Sequence, residues 1–206
     1  MNRKIRVLVA DDHAIVRIGL KSVLEYEADI EVVADAKNGI EAVDDAVRLK
    51  PDVAVMDLVM PRKDGVAATA EILERAPGTK VLILTTFGTS DAIAHALEAG
   101  ASGAMMKTAD DAMIVSAIRK VASGETYISP DVRRQLEESP PVPKLSPRQT
   151  EVLTEIAHGK SNKEIAALLG IRLDSVEDIA NALYAKLGVS NRAEAVDVAH
   201  RKHLLK

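Results

Sequence analysis

The chain has no cysteine and no tryptophan, and its aromatic residues are one phenylalanine and three tyrosines among 206 residues. Without cysteine there are no disulfides and no thiolate metal sites. The core must therefore be aliphatic. No run of about 18 apolar residues is present to span a bilayer. The opening Met1-Asn2-Arg3-Lys4-Ile5-Arg6-Val7 leads into a strand, not a signal peptide. A cytoplasmic protein with no membrane partner is expected. A glycine-rich phosphate loop is missing too, since Gly19 and Gly39 stand alone.

The net charge of −4 is unevenly spread. Residues 144–206 hold ten Lys/Arg against eight Asp/Glu, a net of +2, and residues 1–143 carry −6. An acidic front and a mildly basic back are compatible with nucleic-acid binding by the back, although +2 is too small to establish it.

The front half is organised around Val53-Ala54-Val55-Met56-Asp57-Leu58-Val59-Met60-Pro61-Arg62-Lys63-Asp64-Gly65. The valine-rich start reads as a strand buried on both faces. It stops at Asp57, Pro61 forbids its continuation, and Asp64-Gly65 turns into a helix from Val66. Asp57 thus stands at the carboxyl end of a central strand, where open parallel sheets do their chemistry.

Other strands read from Ile5–Ala10, ending in Asp11-Asp12, from Glu31–Ala34, from Lys80–Thr86 and from Ala104–Met106, ending at Lys107. Helices follow each, the first with Ile15, Ile18, Leu20 and Leu24 on its buried side, then Gly39–Leu49, about Ser90–Ala99, and Asp110–Ser123 closed by Gly124. This alternation predicts an α/β fold with a doubly wound five-stranded parallel sheet. Right-handed crossovers gather Asp11, Asp12, Asp57, Thr85 and Lys107 on one edge.

Clustered carboxylates repel, and each resists ionising unless a cation sits among them. Magnesium, which takes oxygen ligands and keeps several waters, suits Asp11, Asp12 and Asp57. Asp57 could then attack a phosphorus and hold the phosphoryl group, its oxygens bound by the Lys107 ammonium and the Thr85 hydroxyl. A merely metal-stabilised sheet edge, or a nucleotide-binding domain, is the plainer alternative.

Asp11-Asp12, Met56-Asp57-Leu58-Val59-Met60-Pro61 with Asp64-Gly65, Leu84-Thr85-Thr86, and Gly103 to Lys107 resemble the flavodoxin-like receiver domain of two-component response regulators, over residues 5–124. The resemblance implies that a sensor histidine kinase donates phosphate to Asp57. One position departs from the family pattern Gly-Tyr-apolar-apolar-Lys: here the run is Gly103-Ala104-Met105-Met106-Lys107, without the aromatic switch residue. Val59 and Phe87 flank the path of an attacking water and offer it no hydrogen bond, so a long-lived phosphoryl-aspartate is expected.

With residues 1–124 assigned to that domain, residues 125–143 read as a linker. It carries a short helix from Pro130 and a stiff Ser139-Pro140-Pro141-Val142-Pro143 tether. Residues 144–206 read as a small all-α domain. Ser146, Pro147 and Gln149 open its first helix with a capping box. Ser161–Gly170 is a second helix, Asp174–Leu187 a third and Arg192–His203 a fourth. Two short helices across a glycine-containing turn are a helix-turn-helix signature.

Leu145-Ser146-Pro147-Arg148, Ser161-Asn162-Lys163-Glu164-Ile165-Ala166, Leu169-Gly170-Ile171, Ser175-Val176 and Lys186-Leu187-Gly188-Val189 resemble the LuxR-type DNA-binding domain, and with the receiver give the NarL/FixJ arrangement. The resemblance implies that the third helix enters the major groove and the fourth aids dimerisation. Candidate DNA contacts are Lys160, Ser161, Asn162, Lys163 and Arg172 around the second helix, and Ser175, Asn181, Lys186 and Arg192 beyond. The third helix has an unusual charge. With Val176, Ala180, Leu183 and Leu187 facing the core, Asp174, Glu177, Asp178 and Asn181 share the outer face. The family usually has lysine at the positions of Asp174 and Glu177, and carboxylates aimed at a polyanion weaken binding.

The expected function is a phosphorylation-controlled transcriptional regulator, in which phosphorylation unmasks the third helix by shifting the domain arrangement or favours dimers, not an enzyme. A phospho-dependent interaction module that no longer reads DNA is the rival. A metal-dependent phosphatase is disfavoured, because nothing beside Asp57 looks like a general acid or base for turnover. Among the histidines, His13 is expected only to start the first helix and His95 and His158 to lie on the surface. His200 and His203 suit the last helix's dipole.

Overall fold

A computed structural model of the chain describes residues 3–86, 90–139, 141, 145–202 and 204–205. Phe87, His203 and the prolines at 140 and 143 lie outside the described residues. The chain divides into two units, residues 1–140 and 141–206.

In the first unit the elements run β1 (Ile5–Ala10), α1 (Ala14–Glu25), β2 (Ile30–Ala36), α2 (Gly39–Leu49), β3 (Val53–Met56), α3 (Gly65–Arg75), β4 (Lys80–Thr85), α4 (Ser90–Glu98), β5 (Gly103–Met106), α5 (Asp111–Ala122), β6 (Tyr127–Ile128) and α6 (Pro130–Glu138). All strand pairs are parallel, in the order β2-β1-β3-β4-β5-β6. The period-two geometry of strands explains their unbroken apolar runs. Leu8, Ala54, Met56, Val81, Ile83 and Ala104 face one layer, built from α2, α3, α4 and α6. Val7, Val9, Val53, Val55, Leu82, Leu84 and Met105 face the other, built from α1 and α5. Each fully buried Leu or Ile contributes about 1.5–3 kcal/mol relative to leaving it in water.

Three expectations change. Among the described residues the sheet has six strands, not five: Tyr127–Ile128 adds beside β5, with the Tyr127 N–H donating to the Ser102 carbonyl and the Ser129 N–H to that of Ala104, both at 3.0 Å. The first unit consequently extends through residue 140, and residues 125–139 belong to it, not to a linker starting at 125. The physical cause is packing. Val132 of α6 is fully buried in the same core as Ile93 and Ala104, and Gly103 is required because any Cβ there would meet the Tyr127 carbonyl oxygen at 2.4 Å. Finally, Ile15 and Ile18 are 78% and 62% exposed, while Leu20 and Leu24 are buried with Val16 and Val23 beside them. Two apolar stripes run along α1, and one helix can bury only one of them against the sheet.

The second unit comprises α7 (Pro147–Ala157), α8 (Asn162–Leu169), α9 (Leu173–Leu187) and α10 (Arg192–Arg201) around a core of Val152, Leu153, Ile156, Ile165, Val176 and Leu183. The capping box of α7 is formed: the Ser146 N–H donates to Gln149 Oε1 at 3.0 Å and the Gln149 N–H to Ser146 Oγ at 3.2 Å. Among the described residues, no helix is long and apolar enough to cross a membrane.

Candidate functional site

The strand ends do converge. The Asp57 N–H donates to the Ala10 carbonyl at 2.8 Å, the Asp11 N–H to that of Ala36 at 3.0 Å, and the Lys107 N–H to that of Thr85 at 2.9 Å. Each ladder thus runs one bond past its strand and fixes the backbone of the residue that carries the chemistry. After Asp57 the chain turns back so tightly that a Cβ on Gly65 would lie 2.1 Å from the Asp57 carbonyl oxygen. Asp64 then caps α3, accepting the Ala67 N–H at 2.8 Å.

Inside this edge the Lys107 ammonium lies 2.5 Å from Asp11 Oδ2 and 2.9 Å from Asp57 Oδ2. The Leu58 N–H donates to Asp57 Oδ1 at 2.8 Å. Asp11 and Asp57 are 2% and 5% exposed, whereas Asp12 is open to solvent. Burial raises the Asp57 carboxyl above its ordinary range, and the nearby Asp11 charge adds to this, against the opposing pull of Lys107. For Lys107 burial favours the neutral amine, but hydrogen bonds and charge from Asp11 and Asp57 outweigh it, and its pKa rises. Among the described residues three carboxylates share the pocket with one ammonium, so the edge is short of positive charge.

One donor atom each from Asp11, Asp12, His13 and Asp57 falls within 4.8 Å of the others. His13 is the member of this set that its place in the sequence does not announce as a ligand. The available signal is its position, directly after Asp11-Asp12 and just beyond a strand end. The Arg17 guanidinium also reaches this edge, donating to the Asp11 carbonyl at 2.8 Å and pairing with Asp35. Thr85 Oγ1 is buried with no hydrogen-bond partner among the described residues. An orphaned buried hydroxyl needs a reason, and a ligand oxygen supplies one. Val59 is 64% exposed in the loop just after Asp57.

The candidate DNA contacts are less uniform. Arg192 Nη2 donates to the Ile156 and Lys160 carbonyls at 2.8 and 2.6 Å, tying α10 to the end of α7. Lys160 pairs with Glu155 at 2.6 Å, and Arg172 with Asp174 at 2.9 Å. Ser161 spends its hydroxyl on the capping box with Glu164. Lys163 and Asn181 are exposed, Asn162 and Ser175 half-buried, and Lys186 lies near Gln149. On α9, Val176, Ala180 and Leu183 are buried, and Asp174, Glu177, Asp178 and Asn181 are exposed together. His158 is exposed beside Glu155. His95 is not a surface residue: it is half-buried on α4 and its Nε2 has no partner among the described residues.

Residues 7–119 match the response regulator receiver domain, and residues 143–199 the bacterial regulatory proteins of the luxR family. The transcriptional regulatory protein LiaR of Bacillus subtilis (strain 168) is 41% identical over 209 residues, covering 98% of this chain and 99% of that protein. The oxygen regulatory protein NreC of Staphylococcus aureus (strain MRSA252) is 39% identical over 214 residues, covering 97% and 99%. Among solved structures, the response regulator ChrA of a heme-sensing two-component system matches with a TM-score of 0.60 at 37% identity, covering 99% of this chain and 100% of that one. The response regulator RcsB in its DNA complex matches with a TM-score of 0.69 at 25% identity, covering 96% and 98%.

Proposed function

This chain belongs to the response regulators that join a receiver domain to a luxR-family regulatory domain, and we propose that Asp57 is its phosphoacceptor and that a sensor histidine kinase is the donor. The observation that carries this reading is the arrangement of Asp57, Lys107 and Asp11 at 2.5 and 2.9 Å, with the orphaned Thr85 hydroxyl on the strand between β3 and β5.

In the transfer, an Asp57 carboxylate oxygen forms a bond to phosphorus as the bond from phosphorus to the donor's imidazole nitrogen breaks. The product is an acyl phosphate. Lys107 exchanges a carboxylate contact for one to a phosphoryl oxygen, and the Thr85 hydroxyl donates to another. The carboxylates of Asp11, Asp12 and Asp57 fit Mg2+ and would hold it, and an oxygen-seeking ion there would supply positive charge against the phosphoryl oxygens.

Phosphorylation then favours a homodimer whose helical domains bind paired DNA half-sites, a reading supported by a second similar structure, of two RcsB dimers bound to two parallel DNAs. The acidic face of α9, with Asp174, Glu177 and Asp178 exposed, supports weakened or unusual DNA recognition. The same face is what favours the second reading, in which the helical domain serves protein interaction instead. Acetyl phosphate with Mg2+ should add a single phosphoryl group to the intact chain, read by mass. A label that persists in Asp57→Asn sinks the assignment.

A further inference from the structure

His13 stands at the N-cap of α1 in extended backbone, yet its side chain makes no capping bond. The imidazole is turned to the acidic edge instead: Nδ1 lies 2.7 Å from Asp12 Oδ1 and 3.4 Å from Asp11 Oδ1. The backbone holds it there, because the His13 N–H donates to Asp11 Oδ1 at 2.9 Å. The ring is 66% exposed, so ions from solvent can reach it.

Four donor atoms within 4.8 Å of one another occupy about the volume of a single coordination sphere. With metal–ligand bonds of about 2.0–2.2 Å, opposite ligands stand roughly 4.2 Å apart and adjacent ones roughly 3 Å, so the widest pair closes slightly while the contact between His13 Nδ1 and Asp12 opens slightly to admit the ion. We propose that His13 Nδ1 is a ligand of the divalent cation at this edge, making it a mixed nitrogen and oxygen centre that favours manganese and later first-row ions over magnesium. The inference rests on the acidic edge being the cation site proposed above.

The chemistry follows from ligand type. Magnesium sheds water reluctantly and takes oxygens, so an imidazole adds little to its binding. Manganese and its successors accept imidazole nitrogen, with affinity rising along the series toward copper. On coordination Nδ1 offers its lone pair, and the ring proton resides on Nε2.

Pulsed electron paramagnetic resonance on the full chain loaded with one equivalent of Mn2+ tests this, with Mn2+ and Mg2+ affinities measured by calorimetry. Imidazole-nitrogen modulation is expected in the native chain and absent in His13→Ala and His13→Asn. Mn2+ affinity should fall on the order of tenfold in His13→Ala, with Mg2+ affinity nearly unchanged. Modulation that survives His13→Ala, or an equal loss for both ions, overturns His13 as a ligand and leaves the carboxylate site standing. If neither ion binds the native chain, the cation-site reading itself falls.

Discussion

The Lys107 ammonium lies 2.9 Å from Asp57, although β4 separates the strands that these residues follow. One side chain therefore bridges a whole strand and holds together two ends of the sheet edge. Because Asp11 takes the same ammonium at 2.5 Å, both buried carboxylates depend on it.

Removing that cation should expose the dependence. Lys107→Ala leaves Asp11 and Asp57 buried without their partner, a loss on the order of 3–5 kcal/mol for a broken buried pair. Millimolar Mg2+ should restore more stability to this variant than to the native chain. Denaturant midpoints with and without Mg2+ decide it, and equal shifts would contradict the charge argument.

Asp57 itself should strain the fold at neutral pH. Its pKa is raised in the folded state, so its contribution is fully present below its unfolded value, near 3.8, and is lost as pH rises through the folded value. Asp57→Asn removes that loss. The variant should match the native chain near pH 4 and exceed it at pH 7, by about 1.4 kcal/mol for every pH unit that separates the folded value from the unfolded one. A stability difference that shrinks as pH rises would refute this.

How much of this is legible in the sequence follows from what punctuates a strand. Asp11, Asp57 and Lys107 each interrupt an apolar run, so the sheet edge can be assembled from the sequence. β6 cannot, because Tyr127 and Ile128 make no run at all and join the sheet through two hydrogen bonds and the burial of Val132. Nor can the burial choice on α1, where Ile15 and Ile18 are as apolar as the residues that won. His13 is visible in the sequence but reads there as a helix start; only its Nδ1 distances to Asp11 and Asp12 place it over the pocket.

Val59 should govern how long the phosphoryl group lasts. It is exposed beside Asp57 and has no group to orient a water. Val59→Asn supplies a hydrogen-bonding amide, and release of phosphate from the phosphorylated chain should become severalfold faster. An unchanged decay rate would mean that water arrives by another path.

Reversing the charge of α9 should strengthen its hold on DNA. In Asp174→Lys with Glu177→Lys, Arg172 also loses its 2.9 Å carboxylate partner and becomes available to phosphate. Binding should tighten, and the dependence on salt should steepen by about 0.9 in log–log slope for each phosphate gained. If both stay the same in titrations across salt concentrations, α9 does not face the duplex.

Where the chain is cut will decide whether the first unit stays monomeric. A fragment ending at Gly124 lacks Tyr127, Ile128 and Val132, so β5 is left as a bare margin, with the Ser102 and Ala104 carbonyls that accept the Tyr127 and Ser129 N–H groups free to pair with another molecule. The small side chain of Ala104 offers nothing to block such pairing, and the cover over Ile93 goes with Val132. Exposed margins of this kind recruit other chains. Self-association should follow in fragment 1–124 and be absent from fragment 1–140, so that α6 doubles as a guard against aggregation.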